Sequence, residues 1–192
     1  MSWRIRFEPE ALRLEAYPFP RGERSPLIPV EALREVCVGW FPPTLGTREG
    51  EYLFVPAGQA RELADFASQH GIPFVKRFDV WSFLLEPFLD TQLSPELEEG
   101  HLRRLEENGV SRAEVQAIRE RVEERMLALT AATWEWVHYG LHDVLTVMRP
   151  FTFFTGGSFA RFYAEAMQLA ERGQVQPATR EDFLRSFPSP GP

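Results

Sequence analysis

Between Gly109 and Gly140 the chain carries neither glycine nor proline, and no proline follows until Pro150. Those two residues are the ones that end helices, so a run this long without either commits the region to helix. Ser111-Arg112-Ala113-Glu114 supplies the start, a capping box in which Ser111 and Glu114 satisfy each other's exposed amides. At about 100° per residue, Val115, Val122, Met126, Leu129, Leu141 and Met148 fall on one broad stripe. The spacing predicts a single helix of more than about 30 residues that organises the second half of the chain.

Shorter helices flank it. Asp79 caps a segment through Trp81 and Leu85 that Pro87 interrupts, and Ser94-Pro95 opens a helix that Asn108-Gly109 stops. A further helix is predicted from Ser158 through Phe162 and Leu169 to Gly173, and a short one from Thr179 through Phe183. The first 78 residues follow another period. Trp3, Ile5 and Phe7, then Leu12, Leu14 and Ala16, alternate with polar residues and predict a hairpin; Val36 to Trp40 and Glu51 to Val55 read as further strands. Helical spacing of Ala60, Leu63, Ala64 and Ala67, closed by Gly71, predicts one helix, with Ile72 to Val75 as a last strand. The fold class is therefore α+β: a small antiparallel sheet with one helix, followed by an all-helical half built around one long helix. The expected division is a small α+β domain at 1–78, a helical domain at 79–187 and a disordered tail at 188–192.

Charge narrows the function classes. Against 21 Lys+Arg stand 28 Asp+Glu, a net of −7, with no basic run longer than Lys76-Arg77 or Arg103-Arg104. A nucleic-acid surface draws on clustered cations, so no nucleic-acid partner is expected. Residues 1–79 hold 10 cations and 11 anions, while residues 80–192 hold 11 and 17, which places the acidity on the helical half. Met126 to Met148 is weakly charged yet contains Glu135, His138, His142 and Asp143, so no membrane span is expected either. Cys37 is the only cysteine, which excludes an intramolecular disulfide and multi-Cys zinc sites. With no apolar run near the first residue, the expected location is cytoplasmic.

Two constellations could carry chemistry. On one continuous helix Glu135, His138 and His142 would share a face, and Glu-x-x-His with His-x-x-x-His are spacings that hold a divalent transition metal. Against this, Glu98 to His101 is the only other Glu-x-x-His, and His-Glu-x-x-His is absent. The same face also reads as a solvated one. The second constellation is Arg149, Thr155, Gly156, Gly157, Ser158 and Arg161, in which glycine amides at a helix start and two arginines could take an anion. No phosphate-loop or dinucleotide motif accompanies it, and a linker ending in an N-cap serine fits equally. Asp79, Glu86 and Asp90 among aromatic residues are carboxylates suited either to act as acids with a raised pKa or to simple capping and rim charges.

The resulting expectation is a protein-interaction or regulatory module whose acidic helices meet a basic protein, with a second copy of the chain as another partner. The alternative is a metal-dependent or ligand-binding enzyme using the Glu135, His138 and His142 face.

Overall fold

The computed structural model describes residues 3–19, 25–89, 93–133, 138–149 and 156–187. In chain order it runs β1 (Arg4–Glu8), β2 (Ala11–Glu15), β3 (Leu27–Pro29), β4 (Leu33–Cys37), β5 (Thr44–Thr47), β6 (Tyr52–Phe54), α1 (Ala60–Gln69) and β7 (Phe74–Arg77). There follow α2 (Val80–Leu85), α3 (Pro95–Glu107), α4 (Arg112–Thr133), α5 (Leu141–Met148), α6 (Gly156–Glu171), β8 (Val175–Ala178) and α7 (Arg180–Ser186). The α+β class is as read from the sequence. Two compact units result, Met1–Arg77 with Val175–Pro192, and Phe78–Gln174.

The first unit holds two sheets rather than one. The antiparallel order β1-β2-β3 makes the smaller, and β6-β5-β4-β7-β8 the larger, in which only β4 and β7 run parallel. That parallel pair is joined through α1, as a crossover between parallel strands requires. Residues of both sheets and of α1, among them Ile5, Leu12, Val36, Leu53 and Leu63, meet in one core. Val175 to Ser186 return to this unit, although the sequence reading gave them to the helical domain. The reason is pairing and packing: β8 pairs with β7 from Phe74↔Ala178 to Arg77↔Val175, and the fully buried Phe183 joins the same core. The tail at 188–192 lies outside the described residues.

Side chains alternate across a strand, so Val36 enters that core while its neighbour Glu35 points to the other face of the sheet. There Arg77 donates from Nε to Glu35 Oε1 at 2.9 Å, and Arg34 Nη2 lies 3.1 Å from the same oxygen. The Glu35 and Arg77 side chains are only 6% and 7% exposed. Trp40 Nε1 donates to the Arg77 carbonyl at 3.0 Å, and both guanidinium groups lie 5.9 Å from the Tyr52 ring. Gly46 passes beneath this cluster, where a Cβ would sit 3.1 Å from Glu35 Cγ and 3.3 Å from Tyr52 Cε1.

Each edge of the two sheets carries a local obstruction. Gln59 turns its amide onto β1, accepting from Ile5 N at 3.0 Å and donating to Ile5 O at 2.7 Å. Beside β6, Tyr17 Oη accepts from Phe54 N at 2.9 Å. β3 ends in Pro29, and β8 contains Pro177 opposite Val75. Since Gln176 and Ala178 face Lys76 and Phe74, the proline removes a donor from the outer side of β8.

In the second unit the predicted long helix is broken. α4 ends at Thr133, and α5 begins after Gly140, whose extended backbone (φ −147°, ψ −166°) leaves the helical region. Asp143 captures the Gly140 amide at 2.9 Å, which caps α5 afresh. Thr130 Oγ1 lies 2.9 Å from Tyr139 Oη, and Arg125 Nη1 donates to Met148 Sδ at 2.9 Å. Tyr139 thus lies beside the end of α4 and Met148 nearer its middle, so α5 doubles back along α4. Both halves of the apolar stripe are buried, Val122 and Met126 on α4, Leu141 and Val144 on α5. Folding the stripe back on itself hides more apolar surface than a straight rod would, and this reinforces the weak local break signal of one glycine against the helical propensity of the run.

Candidate functional site

The break at Gly140 decides what the histidines can do. His138 precedes it and is not helical, whereas His142 is the second residue of α5. The single helix face expected for Glu135, His138 and His142 therefore does not form at His138; Glu135 itself lies outside the described residues. His138 Nδ1 is 3.5 Å from Ser82 Oγ, and its Nε2 is 3.8 Å from Asp79 Oδ2, longer than a hydrogen bond and short enough for charge attraction. His142 Nδ1 stands 3.7 Å from Asp143 Oδ1. The Asp79 carboxylate raises the His138 pKa above the ordinary imidazole value, against the lowering effect of burial, and Asp143 and Glu86 add to the rise.

Asp79 owes its place to a local rule. It is the N-cap of α2 and accepts from Ser82 N at 3.0 Å, as the sequence predicts. The histidine thus sits at a helix N-terminus already occupied by its capping carboxylate. Among the described residues no three His, Cys, Asp or Glu side chains are grouped to hold a metal ion. Glu86 belongs to a 3-10 turn continuing α2, and Asp90 lies outside the described residues.

Part of the anion constellation falls among the described residues. Gly156, Gly157 and Ser158 lie within α6 (Gly156–Glu171), so Ser158 is not the N-cap that the sequence suggests. Arg149 follows α5 as an exposed C-cap residue, and Arg161 is exposed on α6. Thr155 lies outside the described residues.

What the sequence reading did not find is how the second unit disposes of its arginines. Arg112 reaches Glu99 with two bonds of 2.9 Å and 2.5 Å and Glu106 at 3.0 Å. Arg119 donates to Glu98 at 2.5 Å and to the Leu84 carbonyl at 3.0 Å, closing the end of α2. Arg121 pairs with Glu165 at 2.6 Å, and Arg172 with Glu114 at 2.9 Å. The amide and hydroxyl of Ser111 and the Arg172 guanidinium together hold the Glu114 carboxyl down to about 2. Residues 78–174 contain nine cations and sixteen anions, a net of 9 − 16 = −7; the remaining residues contain twelve of each, a net of 0. The whole of the chain's net charge therefore belongs to the second unit, in which Arg112, Arg119, Arg121 and Arg172 are engaged by the unit's own carboxylates.

No family model matches the sequence, and neither curated proteins nor solved structures compared with it give a match. No helix among the described residues is long and apolar enough to cross a membrane.

Proposed function

We propose that the chain is a protein-interaction module whose second unit binds a basic partner. The observation that carries this reading is the separation of charge, a net of −7 on residues 78–174 against 0 on the rest. Complementary charge accelerates encounter and selects against partners of the same sign. Pairing of Arg112, Arg119, Arg121 and Arg172 within the unit leaves its surplus carboxylates to dominate the surface field. The test is a titration of the purified protein with labelled oligolysine and with oligoglutamate of equal length. Binding to the first alone, weakening steeply with salt, is the expected result; equal or absent binding of both refutes the reading.

A second reading, a metal- or ligand-dependent enzyme using Glu135, His138 and His142, draws its support from His138, whose buried Nε2 has no hydrogen-bond partner and faces the Asp79 carboxylate. Elemental analysis of protein equilibrated with zinc or iron tests it. Metal retained by the wild type and lost on changing both His138→Ala and His142→Ala is the outcome that sustains this reading.

A further inference from the structure

Among the described residues of the second unit, two grooves differ in charge. One, of about 330 Å³, lies along α4 and α6 over Trp81 and Phe162. Its carboxylates, Glu114 and Glu165, are both paired, with Arg172 and Arg121 respectively. That groove has no charge left to offer a partner. The other, of about 510 Å³, runs between α3, α4 and the turn at Glu86–Phe88. Phe88, Leu102 and Val115 give it an apolar lining, and Leu127 at its margin is 49% exposed. Its two arginines, Arg112 and Arg119, are held by Glu99, Glu106 and Glu98.

Glu120 and Glu123 also line this second groove, and neither has an ion-pair partner among the described residues. Glu120 accepts only a neutral amide proton from Gln116, at 2.9 Å. Glu98 also lines the groove with its side chain 29% exposed; its Oε2 atom is buried with no hydrogen-bond partner, while its Oε1 meets Arg119. A buried acceptor left without a donor is costly, and a cationic N–H is the strongest donor that could relieve it. The groove thus combines an apolar floor, an exposed leucine, two uncompensated carboxylates and one acceptor in need of a donor.

We infer that this groove docks a cationic amphipathic segment of a partner protein, a helix with leucine-like anchors on one face and Lys or Arg beside them. The inference rests on the reading of the second unit as an acidic interaction module and adds the place and the shape of the contact. An amphipathic helix laid in a groove uses anchors one turn apart, which matches the apolar lining, while its flanking cations meet Glu120 and Glu123. Charge alone would accept any basic chain; the apolar lining is what selects an amphipathic one.

The test uses the full chain and two labelled peptides of equal length and charge, one alternating Lys and Leu at helical spacing, the other Lys and Ser. Fluorescence anisotropy at physiological ionic strength should show the Lys/Leu peptide binding about tenfold or more tightly than the Lys/Ser peptide. Glu120→Lys with Glu123→Lys, and separately Leu127→Glu, should each weaken the Lys/Leu peptide by about tenfold or more. All three positions are exposed, so circular dichroism of the variants should match the wild type. The charge-matched control Glu96→Lys with Glu107→Lys, outside the groove lining, should weaken it by less than about threefold. Equal affinity for both peptides, or equal loss in both double variants, overturns the groove while leaving the acidic module standing. Failure of both peptides to bind overturns the two readings together. A dimer of the chain that Glu120→Lys with Glu123→Lys abolishes overturns the proposal in favour of a second copy.

Discussion

Replacing Gln59 with methionine tests the argument that a single side chain completes the edge of the smaller sheet. Gln59 occupies the N-cap position of α1, yet its amide makes no capping bond. Its oxygen instead accepts from Ile5 N at 3.0 Å, and its nitrogen donates to Ile5 O at 2.7 Å and to Glu62 Oε2 at 3.0 Å. Ile5 is fully buried and Gln59 nearly so. Gln59→Met keeps the volume and removes both partners, leaving one backbone donor and one backbone acceptor unsatisfied away from water. At roughly 1 to 3 kcal/mol for each such group, the loss should be about 2 to 6 kcal/mol. Gln59→Glu should fall between, because it retains the acceptor for Ile5 N but loses the donor and places a second carboxylate beside Glu62. Urea unfolding gives the magnitude, and native-state hydrogen exchange at the Ile5 amide gives the location, since protection there should collapse first. A Gln59→Met protein within about 0.5 kcal/mol of wild type, with the Ile5 amide still protected, would show that the edge is satisfied by other means.

Three further outcomes follow from the same structure. Glu35→Ala should cost about 3 to 5 kcal/mol in chemical denaturation because it removes a buried carboxylate that pairs with the buried Arg77, whereas Glu35→Leu combined with Arg77→Met should recover most of that loss. Gly46→Ala should lower stability by about 1 to 3 kcal/mol in the same assay, since the new methyl group presses on Glu35 and Tyr52; an unchanged or raised midpoint would mean that the cluster yields freely. His138 has a folded-state pKa above its unfolded value, so its contribution is complete below pH about 6.5 and disappears as pH rises through the raised value. The stability difference between wild type and His138→Gln should therefore be largest at acidic pH and shrink in alkaline buffer, with Asp79, Glu86 and Asp143 as the carboxylates that set it; a pH-independent difference contradicts the assignment.

How far the sequence could be read depended on how local each cause was. α1 and α3 were legible because periodic apolar residues and their punctuation, Gly71 for one and Ser94-Pro95 with Asn108 for the other, lie within the element itself. The break before α5 was not, because a lone glycine in a helical run is a weak signal until Asp143 and the Thr130 to Tyr139 contact act on it. β5 was missed for a related reason. Thr44, Leu45, Gly46 and Thr47 are all buried, so no polar alternation marks the strand. β8 was obscured by Pro177, which argues against a strand interior and is tolerated here only at an edge. Of the candidate site, the capping role of Asp79 was visible locally, whereas its approach to His138 joins positions 59 residues apart and could come only from the fold. The separation of charge was visible as a trend along the chain. It became complete when the boundary between the units fell at Arg77 and Phe78, which puts Asp79 with the helical part; the returning segment 175–192 holds two cations and two anions and leaves the balance unchanged.

The obstructed sheet edges bear on how this chain can associate at all. Recognition by strand addition needs a free row of backbone donors and acceptors, and the glutamine on β1, the tyrosine on β6 and the prolines on β3 and β8 each interrupt such a row. The sheets are in this sense terminated units that do not propagate from molecule to molecule. Under the proposed reading as an interaction module, contacts with a partner would thereby fall to side chains, and the carboxylates of the helical unit are the charged side chains in excess there. Opening one edge, for instance by Pro177→Val, would restore a templating surface without altering any charge, and the expected consequence is concentration-dependent, β-rich assembly.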